Sequence, residues 1–273
     1  MPARVSLELS RNIICGVSHG CLRVTMSSPT QRKALEMSPE TPTATVVLVH
    51  GAWADGSSWG LVITALQQAG LTVTAAPIPL TSLDDDVAAL DRTIDRTEGP
   101  VILAAHAYAG AVIAASTHPR ISGLVFITAL APDEGETVAD VFYRDPPHPQ
   151  APTLQPDDDG WIWLPANGFS TAFAQNATPD QAALLSAVQR PIAAACIQEP
   201  VSKPGWKDRQ SWYLVAEEDR MINPQTQAFM AKRMNAHTQS CSADHAPLIT
   251  AAAEVTDLIS LAVATVRDNV KSG

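Results

Sequence analysis

The strongest chemical signature in the chain is Val101-Ile-Leu-Ala-Ala-His-Ala-Tyr-Ala-Gly110. The apolar run Val101–Ala105 reads as a buried strand, His106-Ala107-Tyr108 as a tight turn, and the small residues Ala109 and Gly110 as the opening of an Ala-rich helix. Strand, sharp turn and helix is the layout that exposes a nucleophilic side chain at the turn. The central residue here is Ala107, and a methyl group cannot attack a carbonyl, so covalent acyl transfer is closed at this position. His106 and Tyr108 flank it. Residues on either side of such a turn diverge, so His106 is expected in the core, and Tyr108 is expected to pack with only its amide functional. Ser57 and Ser58 precede a helical stretch and read as helix caps rather than replacement nucleophiles. The run Asp157-Asp158-Asp159 resembles a metal site on paper, but three consecutive carboxylates cannot all face one ion, so an exposed turn is expected. The four cysteines, Cys15, Cys21, Cys196 and Cys241, show no metal-ligand spacing and read as reduced thiols. No metal and no cofactor are expected.

The elements that must position this turn alternate. Ala44–Val49 reads as a central strand, Trp59–Ala69 as a helix, and Leu71–Ala75 as a strand. Asp84 reads as the N-cap of a helix from Asp85 to about Thr97. Beyond the turn come a helix over 111–117, strand Ile121–Thr128, strand Ser211–Ala216, helix Pro224–Met234, a short strand near Thr238–Cys241 and a closing amphipathic helix from about Ala251 to Val270. Such alternation implies an α/β fold, a mostly parallel sheet with helices on both faces.

The first strand ends in Leu48-Val-His-Gly-Ala-Trp-Ala-Asp-Gly-Ser-Ser-Trp59. With the turn at 105–109, this segment resembles the esterase and hydroxynitrile-lyase branch of the α/β-hydrolase superfamily, and the resemblance runs from roughly Val46 to Val266. The family pattern G-x-S-x-G is here Ala105-His106-Ala107-Tyr108-Ala109. Three alanines together suggest natural divergence more than a single engineered change. The resemblance implies the α/β-hydrolase fold with an inserted lid. It places the triad acid at Asp219, in Glu217-Glu-Asp-Arg-Met-Ile222, and the catalytic histidine at His245, in Ala243-Asp-His-Ala-Pro247. The order 107, 219, 245 is that of the family. The oxyanion hole falls to the backbone amides of Ala52 and Tyr108. His50, Trp53, Trp161 and Trp163 are the expected substrate-pocket residues, His50 being equally readable as a buried supporting histidine, and Trp161 and Trp163, which share one face of an extended segment, equally as packing of the lid onto the core. Asp133 is an alternative acid, though its surroundings fit an exposed turn better.

Residues 1–43 carry Arg4, Arg11, Arg23, Arg32 and Lys33 and end in a Ser/Pro/Thr-rich stretch; they read as a disordered extension, with Met26 or Met37 as an alternative start. Residues 44–136 and 206–273 read as the two parts of the hydrolase core. Residues 137–205, rich in Pro and Asp, break the alternation and read as the lid insertion. The 273 residues, 46% hydrophobic and 17% charged, suit a globular protein with a sizeable core. A net charge of −10 argues against nucleic acid and anionic membrane surfaces as partners. No stretch approaches the roughly 20 apolar residues of a membrane span. The expected partner is a small-molecule substrate, a homodimer is compatible with the sequence, and a cytoplasmic location follows from the thiols.

A base beside a hole for negative charge can abstract a proton next to a carbonyl, run lyase chemistry, or activate water. The expected function is therefore an enzyme acting on a small carbonyl or ester compound, without a covalent serine intermediate. The alternatives are a ligand-binding pseudoenzyme and a serine esterase altered at position 107.

Overall fold

In the computed structural model the described residues run from Ala44 to Ser272, with side chains to Asn269. The reading of residues 1–43 as an extension, with Cys15 and Cys21, lies outside them.

Six strands form one sheet: β1 (Thr45–Val49), β2 (Val73–Ala76), β3 (Val101–His106), β4 (Ile121–Ile127), β7 (Ser211–Ala216) and β8 (His237–Cys241). Their spatial order is β2-β1-β3-β4-β7-β8, and every pairing is parallel. Both faces of the sheet are covered, so its central strands are largely apolar and β1 and β3 are buried throughout. Alternation along each strand separates two cores. Val46 and Leu48 pack with Trp59, Leu66, Leu258 and Ile259, beneath α1 (Gly60–Gln68) and α8 (Ala252–Ser272). Val47 and Val49 pack with Leu90, Ile94, Val112 and Ile113, beneath α2 (Leu83–Asp95) and α3 (Ala109–Ala115).

Two caps differ from the sequence reading. Asp55, not Ser57 or Ser58, caps the short 3₁₀ turn Gly56–Trp59, its side chain accepting from Ser57 N. Ser82, not Asp84, caps α2, accepting from Asp85 N. In each case the chain enters the helix earlier than the apolar periodicity begins, which moves the cap toward the N-terminus.

Between β4 and β7 the chain forms α4 (Val138–Phe142), a two-stranded antiparallel ribbon of β5 (Trp161–Ile162) and β6 (Ile192–Ala193), a π-helical turn at Phe169–Phe173, α5 (Pro179–Ala187) and α6 (Ala194–Gln198). The helix expected from Thr178 is α5. Thr178 caps it, with Gln181 completing the reciprocal capping box. After β7 comes α7 (Pro224–Arg233). No described helix is long and apolar enough to cross a membrane.

Candidate active site

The loops that leave the carboxyl ends of β1, β3, β4, β7 and β8 meet at one edge of the sheet, where open parallel sheets bind their ligands. Three non-glycine residues in these loops have left-handed backbones: Trp53 (φ 57°), Ala107 (φ 51°) and Thr128 (φ 44°). Each such conformation costs about 1 kcal/mol or more and persists only where its surroundings enforce it. At Ala107 the enforcement is visible. Its carbonyl accepts from Leu130 N (2.9 Å) and Gly110 N (3.1 Å). A Cβ at Gly110 would lie 2.3 Å from the Leu130 carbonyl oxygen, and one at Gly51 would lie 2.9 Å from the Ala107 methyl, so neither position has room for a side chain. The sharp turn is therefore built with alanine at its apex, and Ala105 and Ala109 are fully buried beside it.

The imidazole of His245 donates through Nδ1 to Asp219 Oδ2 at 2.9 Å. Asp219 also accepts from Met221 N (2.7 Å) and Ile222 N (2.9 Å) at Oδ1 and from Gln227 Nε2 (2.8 Å) at Oδ2. Four donors thus hold a carboxylate that is 2% exposed. Because the carboxylate accepts a hydrogen bond from Nδ1–H, the lone pair of His245 lies on Nε2, which has no hydrogen-bond partner among the described residues. The ring lines a cavity together with Ala52, Trp53, Ala107 and Tyr108. No described group accepts from the backbone N–H of Ala52 or Tyr108.

The cavity has a volume of about 60 Å³. Its remaining walls are apolar and come largely from residues 137–205, among them Val138, Phe142, Leu154, Ile162, Ile192 and Ile197. Of the four residues assigned to the pocket from sequence, Trp53 lines it, its Nε1–H donating to the Ile162 carbonyl at 2.9 Å. Trp161 and Trp163 do not. Alternation along the extended segment turns Ile162 to the cavity and both indoles away, leaving Trp163 half exposed. His50 is also outside. Its Nδ1–H donates to the Gly51 carbonyl (3.0 Å), burial pushes its pKa down, and it borders a separate cleft with Asp55 and Arg190.

His106 is a buried supporting group. It donates from Nε2 to the carbonyl of His245 at 2.6 Å, and burial, then the neighbouring His245, pushes its pKa down to about 3. Phe173 of the π-helical turn stands edge-on to the His245 ring at 5.1 Å and contacts His106 and Trp53. Asp133 pairs with Lys207 at 2.6 Å and bonds nothing at His245. Asp157 Oδ1 accepts from the N–H groups of Asp159 and Trp161, closing an exposed turn. Among the described residues no group of three or more His, Cys, Asp or Glu side chains could hold a metal ion. Cys196 and Cys241 are free thiols, and burial pushes their pKa values up to about 12 and about 11.

Two groups at the site escaped the sequence reading. Gln227 is fully buried on α7, gives its amide to Asp219 and the Ile222 carbonyl, and accepts from Ala216 N. Nothing in its local sequence marks it. Asp86 is fully buried on α2, where Leu83, Leu90 and Ile94 form the apolar stripe. It accepts from Leu80 N (2.7 Å), from the Tyr108 hydroxyl (2.7 Å) and from the Cys196 thiol (3.8 Å). Burial outweighs these donors and pushes its pKa up to about 6. An acid on an apolar stripe was the available signal, since it must find donors inside the fold.

An all-parallel sheet with a sharp strand–turn–helix junction at its carboxyl edge is an α/β-hydrolase fold. The α/β hydrolase family model matches residues 46–258, and the chain belongs to that family. Its structure is similar to that of polyneuridine aldehyde esterase, with TM-score 0.69 and 18% identity over 80% of this chain and 98% of that one. A pyrethroid hydrolase from Sphingobium faniae JZ-2 follows it with TM-score 0.67 and 20% identity over 81% of this chain and 97% of its own. A methylesterase from Arabidopsis does so with TM-score 0.67 and 16% identity over 81% and 99%. A comparison with curated protein sequences finds no match.

Proposed function

We propose that this protein is an enzyme acting on a small, largely apolar carbonyl compound or ester. His245 is its general base, Asp219 orients and stabilises the imidazolium, and the amides of Ala52 and Tyr108 receive the negative charge that develops on the carbonyl oxygen. No covalent intermediate forms, because Ala107 carries no nucleophile. The observation that carries this reading is the 2.9 Å bond between His245 and a carboxylate saturated with donors, with the free Nε2 in a cavity that also holds two unpartnered amides. A base positioned in this way contributes about 10²–10⁴-fold, and an oxyanion donor about 3–4 kcal/mol. The structural neighbours, two esterases and a pyrethroid hydrolase, act in the same carbonyl class. Residues 137–205 act as the lid that shields this chemistry from water.

The direct test is turnover across a panel of short esters and carbonyl compounds, with products read by mass spectrometry. Activity is expected in the wild type and is expected to fall at least about a hundredfold in His245→Ala; full activity in that variant ends the proposal. A second reading, a ligand-binding protein without turnover, draws on the alanine at the apex of the turn. It requires binding without product and indifference to Asp219. Restoring a hydroxyl with Ala107→Ser tests the third, an altered serine esterase: a burst of p-nitrophenol from p-nitrophenyl acetate favours it, and no gain counts against it.

A further inference from the structure

Building on the reading of His245 as a base, we propose that the proton it removes comes from the carbon next to the substrate carbonyl, and not from an attacking water. The wall chemistry carries this choice. Apart from His245 three side chains lining the cavity have a polar hydrogen: Trp53, Tyr108 and Tyr143. The Trp53 N–H is engaged by the Ile162 carbonyl, the Tyr108 hydroxyl by Asp86, and Tyr143 stands at the mouth, 57% exposed. With a substrate carbonyl seated on the amides of Ala52 and Tyr108, the remaining inner side chains are hydrocarbon or sulfur. A hydrolytic water there would meet one side-chain partner, His245 Nε2, whereas an ordered buried water is held by two to four polar groups. It would also have to share the apolar cavity with the intact substrate.

A carbon acid needs none of this. The α C–H bond breaks and its proton passes to Nε2. The electron pair moves to form the C=C bond of an enolate, and the carbonyl π pair moves onto the oxygen, held by the two amides. The imidazolium is held by Asp219. Returning the proton to the same carbon racemises or exchanges it, and expelling a group β to the carbonyl completes an elimination. No co-reactant is required. Apolar walls strengthen both ionic contacts. They also define the substrate class: an uncharged carbonyl compound bearing an α hydrogen, since the walls carry no counter-charge for an ionic group.

The experiment places both fates in one molecule. Methyl propanoate, with butanone and propanal beside it, is incubated with the full chain in D₂O for α-deuteration by NMR, and in H₂¹⁸O for label in propanoate by mass spectrometry. The expected result is α-exchange at least about a hundredfold above buffer, lost in both His245→Ala and His245→Gln, with no propanoate released. Thermal melting of the two variants shows whether each is folded, and one folded variant suffices. Labelled propanoate that depends on His245, without exchange, overturns this inference and leaves the base reading standing. Exchange or hydrolysis unaffected in a folded His245 variant, or neither reaction in the wild type, overturns both.

Discussion

The site contains two carboxylates buried to about the same depth, Asp219 and Asp86, and they are built differently. Asp219 follows a strand, in a loop whose own N–H groups turn back onto it, and four donors converge on its two oxygens. Asp86 lies within a helix, where neighbouring amides are spent on helical bonds, so its donors come from elsewhere: a loop N–H, a phenol and a weak thiol. The first arrangement suits an anion that must hold an imidazole; in the second, burial prevails and the acid is pushed up to about 6. Depth alone therefore does not decide what a buried acid does. The number and kind of donors its local backbone can supply decide it.

The comparison breaks most sharply at Asp219. Asp219→Asn presents an amide N–H or a weaker acceptor to His245 Nδ1 and favours the wrong tautomer, so kcat on the substrates found above is expected to fall about 10³–10⁴-fold with the fold intact. Steady-state kinetics alongside a melting curve test this, and undiminished kcat would place Asp219 with Asp86 as a structural acid. Gln227→Leu removes one of the four donors and leaves Ala216 N without an acceptor. It is expected to cost about 1–3 kcal/mol of stability and to lower kcat more than it changes KM, as read by denaturant unfolding and kinetics. Loss of stability without loss of kcat would show that three donors suffice.

Asp86 sharpens the contrast through pH. Its folded pKa is raised, so its contribution to stability is present below about pH 4 and is lost as pH rises through about 6. His106 runs the other way. Its folded pKa is depressed to about 3, so stability is complete above its unfolded value and falls as the pH drops below about 6.5. Between about pH 4 and 6 the two slopes oppose each other. Asp86→Asn is expected to leave the His106 slope exposed, so that the variant loses up to about 1.4 kcal/mol more than the wild type for each pH unit of acidification in that window. Unfolding curves at pH 4, 5 and 6 check it; parallel pH profiles would show that Asp86 is ionised throughout.

Much of the fold was legible in the residues. Fully apolar runs such as Val46–Val49 and Ile102–Ala105, spaced by helical periods and turn residues, already implied a parallel sheet covered on both faces, and the six parallel strands agree. The turn bearing Ala107 was legible from strand and helix pattern, whereas the loops bearing Asp219 and His245 were legible through the family resemblance of Glu217–Ile222 and Ala243–Pro247. The pocket was less so. Alternation placed Trp161 and Trp163 on one shared face, yet the isoleucine between them faces the cavity, because which face a two-residue strand turns inward depends on its partner and not on composition. Gln227 gave no local sign at all, since its partners lie at the end of one strand and in the loop beyond it.

By itself, then, the chain determined its alternating architecture and the absence of a nucleophile at the turn, because strand period, helix period and residue type are local properties. Tertiary structure alone decided which groups share one cavity and what each buried acid meets. Trp53 reaches Ile162 across 109 residues and Asp86 reaches Cys196 across 110, and contacts at that separation exist only once the layers have packed.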